Sequence, residues 1–192
     1  GEIRIENVTD LTAQGGGGNR ANAMIGHGGN DVDGDHSGDI TVNGSGNFNF
    51  LAGTGDRATV QVGHGGYTTT GTAEGSISLT TTGGGLNLRG NQFDAPDNTY
   101  TNDEQYAMIG HGGQTADGDK GAADGSDAIT ITTSGDINVQ GGKYNNTYAQ
   151  VGFGGLAADA TTAHRGSISV TSQNGSISVL GGINDPDVGA RD

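Results

Sequence analysis

Three histidines occur at the same place in a recurring motif, and histidine is the side chain most often used for proton transfer and metal binding. His27, His64 and His111 each follow Ile-Gly or Val-Gly and precede Gly-Gly. A fourth copy of the motif has Phe153 at this position. Phenylalanine can neither ligate a metal nor move a proton, so the simplest interpretation is a flat ring stacked in the core.

Two loops that follow this motif carry aspartates separated by glycine or valine. Counted from the isoleucine of the motif, Ile25 or Ile109, Asp33 and Asp117 both have offset 8, and Asp35 and Asp119 both have offset 10. Carboxylates on a glycine-containing loop are ligands that calcium prefers. The candidate calcium ligands are therefore Asp31, Asp33, Asp35, Asp117 and Asp119. The alternative is solvated turn residues, because Thr70 interrupts the series in the second copy.

The histidine motif is the third of three segments, named a, b and c, that recur in fixed order. Segment a begins at Ile3, Ile40, Ile77, Ile129 and Ile168. Segment b begins at Leu11, Phe48, Leu86, Ile137 and Ile177. Segment c begins at Ala23, Val60, Ala107 and Ala149. Extra residues fall only between segments, with the longest insertion at 91–104, which is the behaviour of a solenoid with variable loops.

Each segment alternates apolar and polar residues, which predicts strands with one buried face. Three short strands per coil can enclose a narrow core, and coils stacked about 4.8 Å apart would pair in parallel. We therefore predict an all-β, right-handed parallel β-helix of about five coils, each of roughly 37–50 residues. The first residues of segment a would form an isoleucine ladder inside. In segment c, the Met and Gln positions are expected to point outward.

The whole chain, 1–192, is predicted to be one β-solenoid domain. The predicted repeats are 1–37, 38–74, 75–126, 127–165 and an incomplete 166–192. A β-propeller is the alternative, but it needs four antiparallel strands per blade, and only three segments recur.

Composition excludes several classes of protein. Of 192 residues, 40 are glycine and only 30% are hydrophobic, enough for a thin core but not a wide one. The net charge of −14 argues against nucleic-acid binding and against an anionic membrane surface, because both need clustered basic residues. Without cysteine, a disulfide scaffold and a Cys-based zinc site are excluded. No apolar run reaches the length of a membrane span, and no cofactor other than calcium is expected.

Units such as Gly-Asp-Ile-Thr-Val and Gly-Ser-Ile-Ser-Val, joined to Ala-x-Ile-Gly-His-Gly-Gly, resemble the passenger repeats of filamentous-haemagglutinin-like proteins and giant bacterial surface adhesins. The resemblance covers nearly the whole chain. It implies a secreted β-helix, extracellular or on a bacterial cell surface, used for adhesion, reach or matrix building. It does not identify a ligand.

Two functions remain open, and neither is catalytic. The first is a structural filament or stalk, in which the chain contacts itself head to tail or contacts flanking repeats, because no capping element is visible at either end. Gly1 is then an internal or processed start. The second is an adhesin module for a glycan or a protein on another surface. Tyr100, Tyr106, Tyr144 and Tyr148 would mark its loops, unless Tyr106 and Tyr148 simply stack.

An enzyme is not predicted. Parallel β-helices host polysaccharide lyases and hydrolases, whose sites combine carboxylates with each other or with Arg or Lys on one face of several coils. In this chain the outward strand positions are mainly Thr, Ser, Asn and Gly.

Overall fold

The computed structural model describes residues 1–92, 104–144, 146–157 and 163–182. In these residues all regular secondary structure is β-strand, and every strand pairing is parallel. The chain winds as a β-solenoid of about four turns. The predicted parallel β-helix is therefore confirmed, and the predicted number of about five coils is close to the number observed. An antiparallel β-propeller is excluded.

The three predicted segments form three stacked parallel sheets, which keep the names a, b and c. Sheet a contains β1 (Ile3–Val8), β6 (Ile40–Gly44), β11 (Ile77–Thr81), β14 (Ala128–Thr133) and β17 (Ser167–Ser172). Sheet b contains β2 (Leu11–Gln14), β7 (Phe48–Leu51), β12 (Leu86–Arg89), β15 (Ile137–Gln140) and β18 (Ile177–Leu180). Sheet c contains β3 (Ala23–Ile25), β8 (Val60–Val62), β13 (Ala107–Ile109) and β16 (Ala149–Val151).

The isoleucine ladder runs through sheet a in register, as Ile3, Ile40, Ile77, Ile129 and Ile168. The three central members are fully buried, since β-branched side chains stacked at the strand spacing exclude water from both sides. Ile168 stands in the same column but is 49% exposed. Phe48, Phe50, Leu86 and Leu88 fill the core from sheet b.

In the described residues, two further short ladders, which the sequence analysis missed, run alongside the three sheets. One pairs β4 (Gly28–Asn30) with β9 (Gly65–Tyr67), and the other pairs β5 (His36–Ser37) with β10 (Ala73–Glu74). Single bridges at Gly112 and Lys120 carry both ladders into the third coil. Glycine-rich and polar strands of this kind have no apolar alternation, so period alone cannot reveal them.

The prediction that Met and Gln of segment c point to solvent was wrong. Gln61 and Met108 are 2% and 0% exposed. The loops on either side of sheet c fold over its outer face; in the first coil, for example, Asn22 Nδ2 donates to Asn30 Oδ1 over 2.9 Å. Sheet c therefore lies between the main core and a second, smaller interior layer.

Two corners of the coil use a left-handed residue that is not glycine. One corner lies three residues before each strand of sheet c, and the other lies six residues after the strand's last residue. The first corner has φ of 56–72° at Arg20, Arg57, Glu104 and Asn146. The second has φ of 49–55° at Asp31, Thr68, Thr115 and Ala157. L-residues in this conformation are strained by roughly 1–2 kcal/mol each.

Thr115→Gly is therefore expected to raise the free energy of unfolding by roughly 0.5–1 kcal/mol, because glycine adopts this φ without strain. Thr115 is exposed, and its backbone N–H bond to Leu156 does not depend on the side chain. Thr130, exposed within β14, is the matched control, and Thr130→Gly should destabilise. Urea titration of both variants checks this, and equal losses would contradict it.

Candidate functional site

The aromatic rings of the recurring motif form one column. His27 and His64 stack with centroids 4.9 Å apart and an interplanar angle of 9°. His64 and His111 stack at 5.0 Å and 12°. Phe153 continues the column at 5.8 Å from His111, tilted by 43°. His64 and His111 are fully buried.

Both ring nitrogens of His64 form hydrogen bonds to the backbone, which the sequence analysis did not predict. The backbone N–H of His27 donates to Nδ1 of His64 over 3.0 Å, so Nδ1 carries no proton. Nε2 of His64 lies 2.7 Å from the carbonyl oxygen of Gly38, so Nε2 is the donor. His111 is held in the same way by the N–H of His64 and the carbonyl of Gly75. Each ring is a neutral bridge between sheet c and the turn before sheet a.

Burial keeps these rings neutral. Desolvation lowers the pKa of His64 from its ordinary 6.5 to about 4, and the neighbouring histidines act in the same direction. Desolvation also lowers the pKa of His111. A general base needs a nitrogen free to accept a proton, and both nitrogens of His64 and His111 are occupied. The column therefore joins neighbouring segments of the backbone by hydrogen bonds as well as by ring stacking.

Two carboxylates of the first acidic loop, residues 31–35, form hydrogen bonds to the next coil along the chain. Asp33 Oδ1 accepts a hydrogen bond from Thr70 Oγ1 at 2.8 Å, and Asp35 Oδ1 accepts one from the backbone N–H of Thr72 at 2.9 Å. The bonds from Thr72 lower the pKa of Asp35. These contacts join residues 37 apart, one coil.

The other candidate calcium ligands have different partners. Asp31 forms an ion pair with Arg20 at 2.7 Å. Asp119 Oδ1 accepts from the backbone N–H of Ala163 at 2.9 Å. The backbone carbonyl of Asp117 accepts from Lys120, and its side chain is exposed. Within the described ranges, no three His, Cys, Asp or Glu side chains come together to hold a metal ion. Calcium binding stays a prediction.

Lys120 is a buried cation that the sequence analysis did not single out. It is 1% exposed, and its Nζ donates to the carbonyl oxygens of Gly71 and Asp117, at 3.0 and 2.6 Å. Burial lowers its pKa, while the nearby carboxylates act in the opposite direction. The signal in the sequence was Ala73 at the equivalent position one coil earlier, because a small residue there leaves room for a long side chain.

The tyrosines considered as a binding surface lie mainly in the interior. Tyr106 and Tyr148 stack with centroids 5.1 Å apart, and burial raises the pKa of both phenols. Tyr106 Oη donates to Gln61 Oε1 over 3.3 Å, in the layer outside sheet c. Of the two arrangements considered for Tyr106 and Tyr148, a binding surface and a stacked pair, the structure has the stacked pair. Tyr100 lies outside the described residues.

Comparison with known proteins identifies no relative. In the part of the chain that the structure describes, there is no helix long and apolar enough to cross a membrane. No family model and no curated protein matches the sequence, and no solved structure matches the fold.

Proposed function

We propose that this chain is a non-catalytic structural unit of an extracellular filament, stalk or matrix fibre, built by end-to-end stacking of solenoid coils. It is secreted or held on a bacterial cell surface, as its resemblance to filamentous-haemagglutinin-like proteins implies. Its partners are further copies of itself, head to tail, or flanking repeats of a longer chain.

The observation that carries this proposal is an apolar row on the last described coil. Ile168, Ile177 and Val179 are 49%, 49% and 73% exposed. Each is in register with a buried residue of the coil before: Ile129, Ile137 and Val139. Another coil stacked on this face would bury all three, at about 1.5–3 kcal/mol for each side chain fully buried.

The first coil presents a surface of the same kind. Ile3 and Ile5 of β1 and Leu11 of β2 are only partly buried and continue the same columns. Among the described residues, β1 and β17 are the edge strands of sheet a, and an edge strand presents backbone groups to which a further parallel strand can bond. Contact between unlike ends along the solenoid axis leaves one free end on each side, and repetition of such a contact generates an open fibre.

A second candidate function is an adhesin module that binds a carbohydrate or a protein on another surface. The stacked Tyr106 and Tyr148 give it little support, since Tyr106 is fully buried and Tyr148 is partly buried against it. One observation favours it, a polar notch between sheets a and b, described in the next subsection.

Val179→Lys is expected to abolish assembly while leaving the coil folded, because a lysine in the apolar row cannot be buried at a junction without a partner. Sedimentation at rising protein concentration, with electron microscopy of the same samples, measures this. The parent chain should form linear assemblies and the variant should stay monomeric.

The matched control is Ser169→Lys, which places the same charge on the outer face of β17. It should assemble like the parent chain. A parent chain that remains monomeric at high concentration, or a Val179→Lys variant that still forms fibres, would show that the apolar row is not the junction.

A further inference from the structure

The turn between sheets a and b contains a ladder of side chains that cap one coil after another. In three coils, the side chain of the residue just before the sheet-b strand accepts a hydrogen bond from a backbone N–H of the next coil. Asp10 Oδ1 accepts from Asn47 at 2.7 Å, and Asn47 Oδ1 accepts from Gly85 at 3.0 Å. Asp136 Oδ1 accepts from Ser176 at 2.8 Å. In the third coil the ladder position is Gly85, so one side chain is missing from an otherwise regular column.

The missing side chain leaves an open notch of about 290 Å³ on the surface. Its lining is entirely amide, carboxylate and glycine backbone: Asn47, Gly83, Gly84, Gly85, Asn87, Gly135, Asp136 and Asn138. The volume is at the small end of the range for ligand pockets, which suits a ligand of a single ring.

The notch is fixed by close contact between coils. A Cβ on Gly84 would lie 2.1 Å from the carbonyl oxygen of Gly46, and one on Gly85 would lie 2.3 Å from that of Asp136. A side chain at either position would therefore displace the neighbouring coil. The third coil has one residue more in this turn than the second, and three of the residues in the turn are the consecutive glycines Gly83, Gly84 and Gly85.

The amides of the notch are held in a hydrogen-bonded ladder. Asn87 Nδ2 donates to Asn49 Oδ1 at 2.9 Å, and Asn138 Nδ2 donates to Asn87 Oδ1 at 3.3 Å. Each of these bonds uses one N–H of an amide that has two. Together with the second oxygen of Asp136, the lining offers donors and acceptors side by side.

We propose that this notch binds one neutral sugar ring through its hydroxyl groups. A hydroxyl both donates and accepts, which matches a mixed lining of amides and one carboxylate. An anionic ligand is disfavoured by Asp136 and by the net charge of −14. An apolar ligand is disfavoured because no lining residue has an apolar side chain beyond Cβ. The inference rests on the adhesive alternative and is independent of end-to-end stacking.

Affinity of a single notch is expected to be in the millimolar range, because a ligand of this size makes few contacts and the lining has no aromatic ring. The probes are the methyl glycosides of glucose, galactose, mannose and N-acetylglucosamine. They are titrated into the monomeric Val179→Lys chain with NMR detection, so a failure of filament formation does not affect the result. At least one probe should give saturable shifts of the backbone amides of Gly83, Gly84 and Gly85.

Asp136→Asn is the test variant, because it keeps the oxygen that accepts from Ser176 and replaces the second oxygen by a donor. Asp39→Asn is its matched control, since Asp39 Oδ1 caps Ser76 at 2.8 Å in the same manner outside the notch. The first should weaken binding at least tenfold and the second should leave it unchanged. Absence of shifts with all four glycosides, equal effects of the two variants, or stronger shifts with arginine or calcium chloride would overturn the proposal.

Discussion

Replacing Gly110 by alanine is expected to lower the free energy of unfolding by about 4 kcal/mol or more, one of the largest effects of any single substitution. Gly110 is buried at the end of β13, with φ +148°. A Cβ at this position would lie 1.7 Å from the carbonyl oxygen of Gly152 in the next coil. The clash is with backbone, so neither a rotamer change nor a small side-chain shift relieves it.

Gly18→Ala is the control for Gly110→Ala. Gly18 is exposed, has no positive φ, and its added Cβ would meet only the Ala21 methyl at 3.9 Å. Its effect on stability should stay within about 0.5 kcal/mol. Urea unfolding of both variants gives the comparison. A Gly110→Ala chain as stable as the control would mean that sheet c does not stack at this separation.

Acidification from pH 7 to pH 5 is expected to lower the free energy of unfolding by about 2 kcal/mol through His64 alone. Its folded pKa is about 4, below the ordinary 6.5. Between pH 6.5 and pH 4, His64 is mostly protonated in the unfolded chain and mostly neutral in the folded chain, so protonation favours unfolding. The contribution is therefore fully present above pH 6.5 and is lost as pH falls towards 4, at about 1.4 kcal/mol per pH unit. His111 shifts in the same direction and adds to the loss.

His64→Phe separates the titration of the ring from its packing. The variant should have a flatter pH profile than the parent chain, because the titrating group is gone. At pH 7 it should still be less stable, by about 2 kcal/mol, since the His27 N–H and the Gly38 carbonyl lose their partner. Stacking alone would predict a smaller cost, below about 1.5 kcal/mol. Unfolding curves at several pH values measure both effects. Parallel profiles for parent and variant would contradict the assignment to His64.

The main sheets could be predicted because their residues follow a period. Ile40, Ile77 and Ile129 each begin an alternating segment, and alternation directly encodes which side of a strand is buried. Stacking of equivalent segments then follows from the near-constant spacing. Phe153 likewise revealed that the histidine position accepts a plain ring.

The polar features could not be predicted in the same way, because spacing along the chain does not show which backbone groups meet a side chain in space. Nothing in the sequence places the Gly38 carbonyl beside the ring of His64. Alternation in segment c predicted that Gln61 faces solvent. The loops that cover the outer face of sheet c have no periodic pattern, so nothing in the sequence indicated that they bury Gln61. The notch does have a signal in the sequence: Gly85 stands just before its sheet-b strand, where three other coils have Asp or Asn.

The spacing of the inter-coil bonds also sets the order in which the molecule can form. Contacts between neighbouring coils join residues 37 apart in the first two coils, and between the third and fourth coils they join residues 52 apart in sheet a and 42 apart in sheet c. The first pair of coils must close a loop of this length before any sheet exists, and this step is entropically costly. Each later coil adds to an edge that is already ordered, so folding advances by nucleation and then growth along the axis. A long array of such coils thus folds at a rate set by its first contact, and an interruption in one coil stops growth there without undoing the coils already formed.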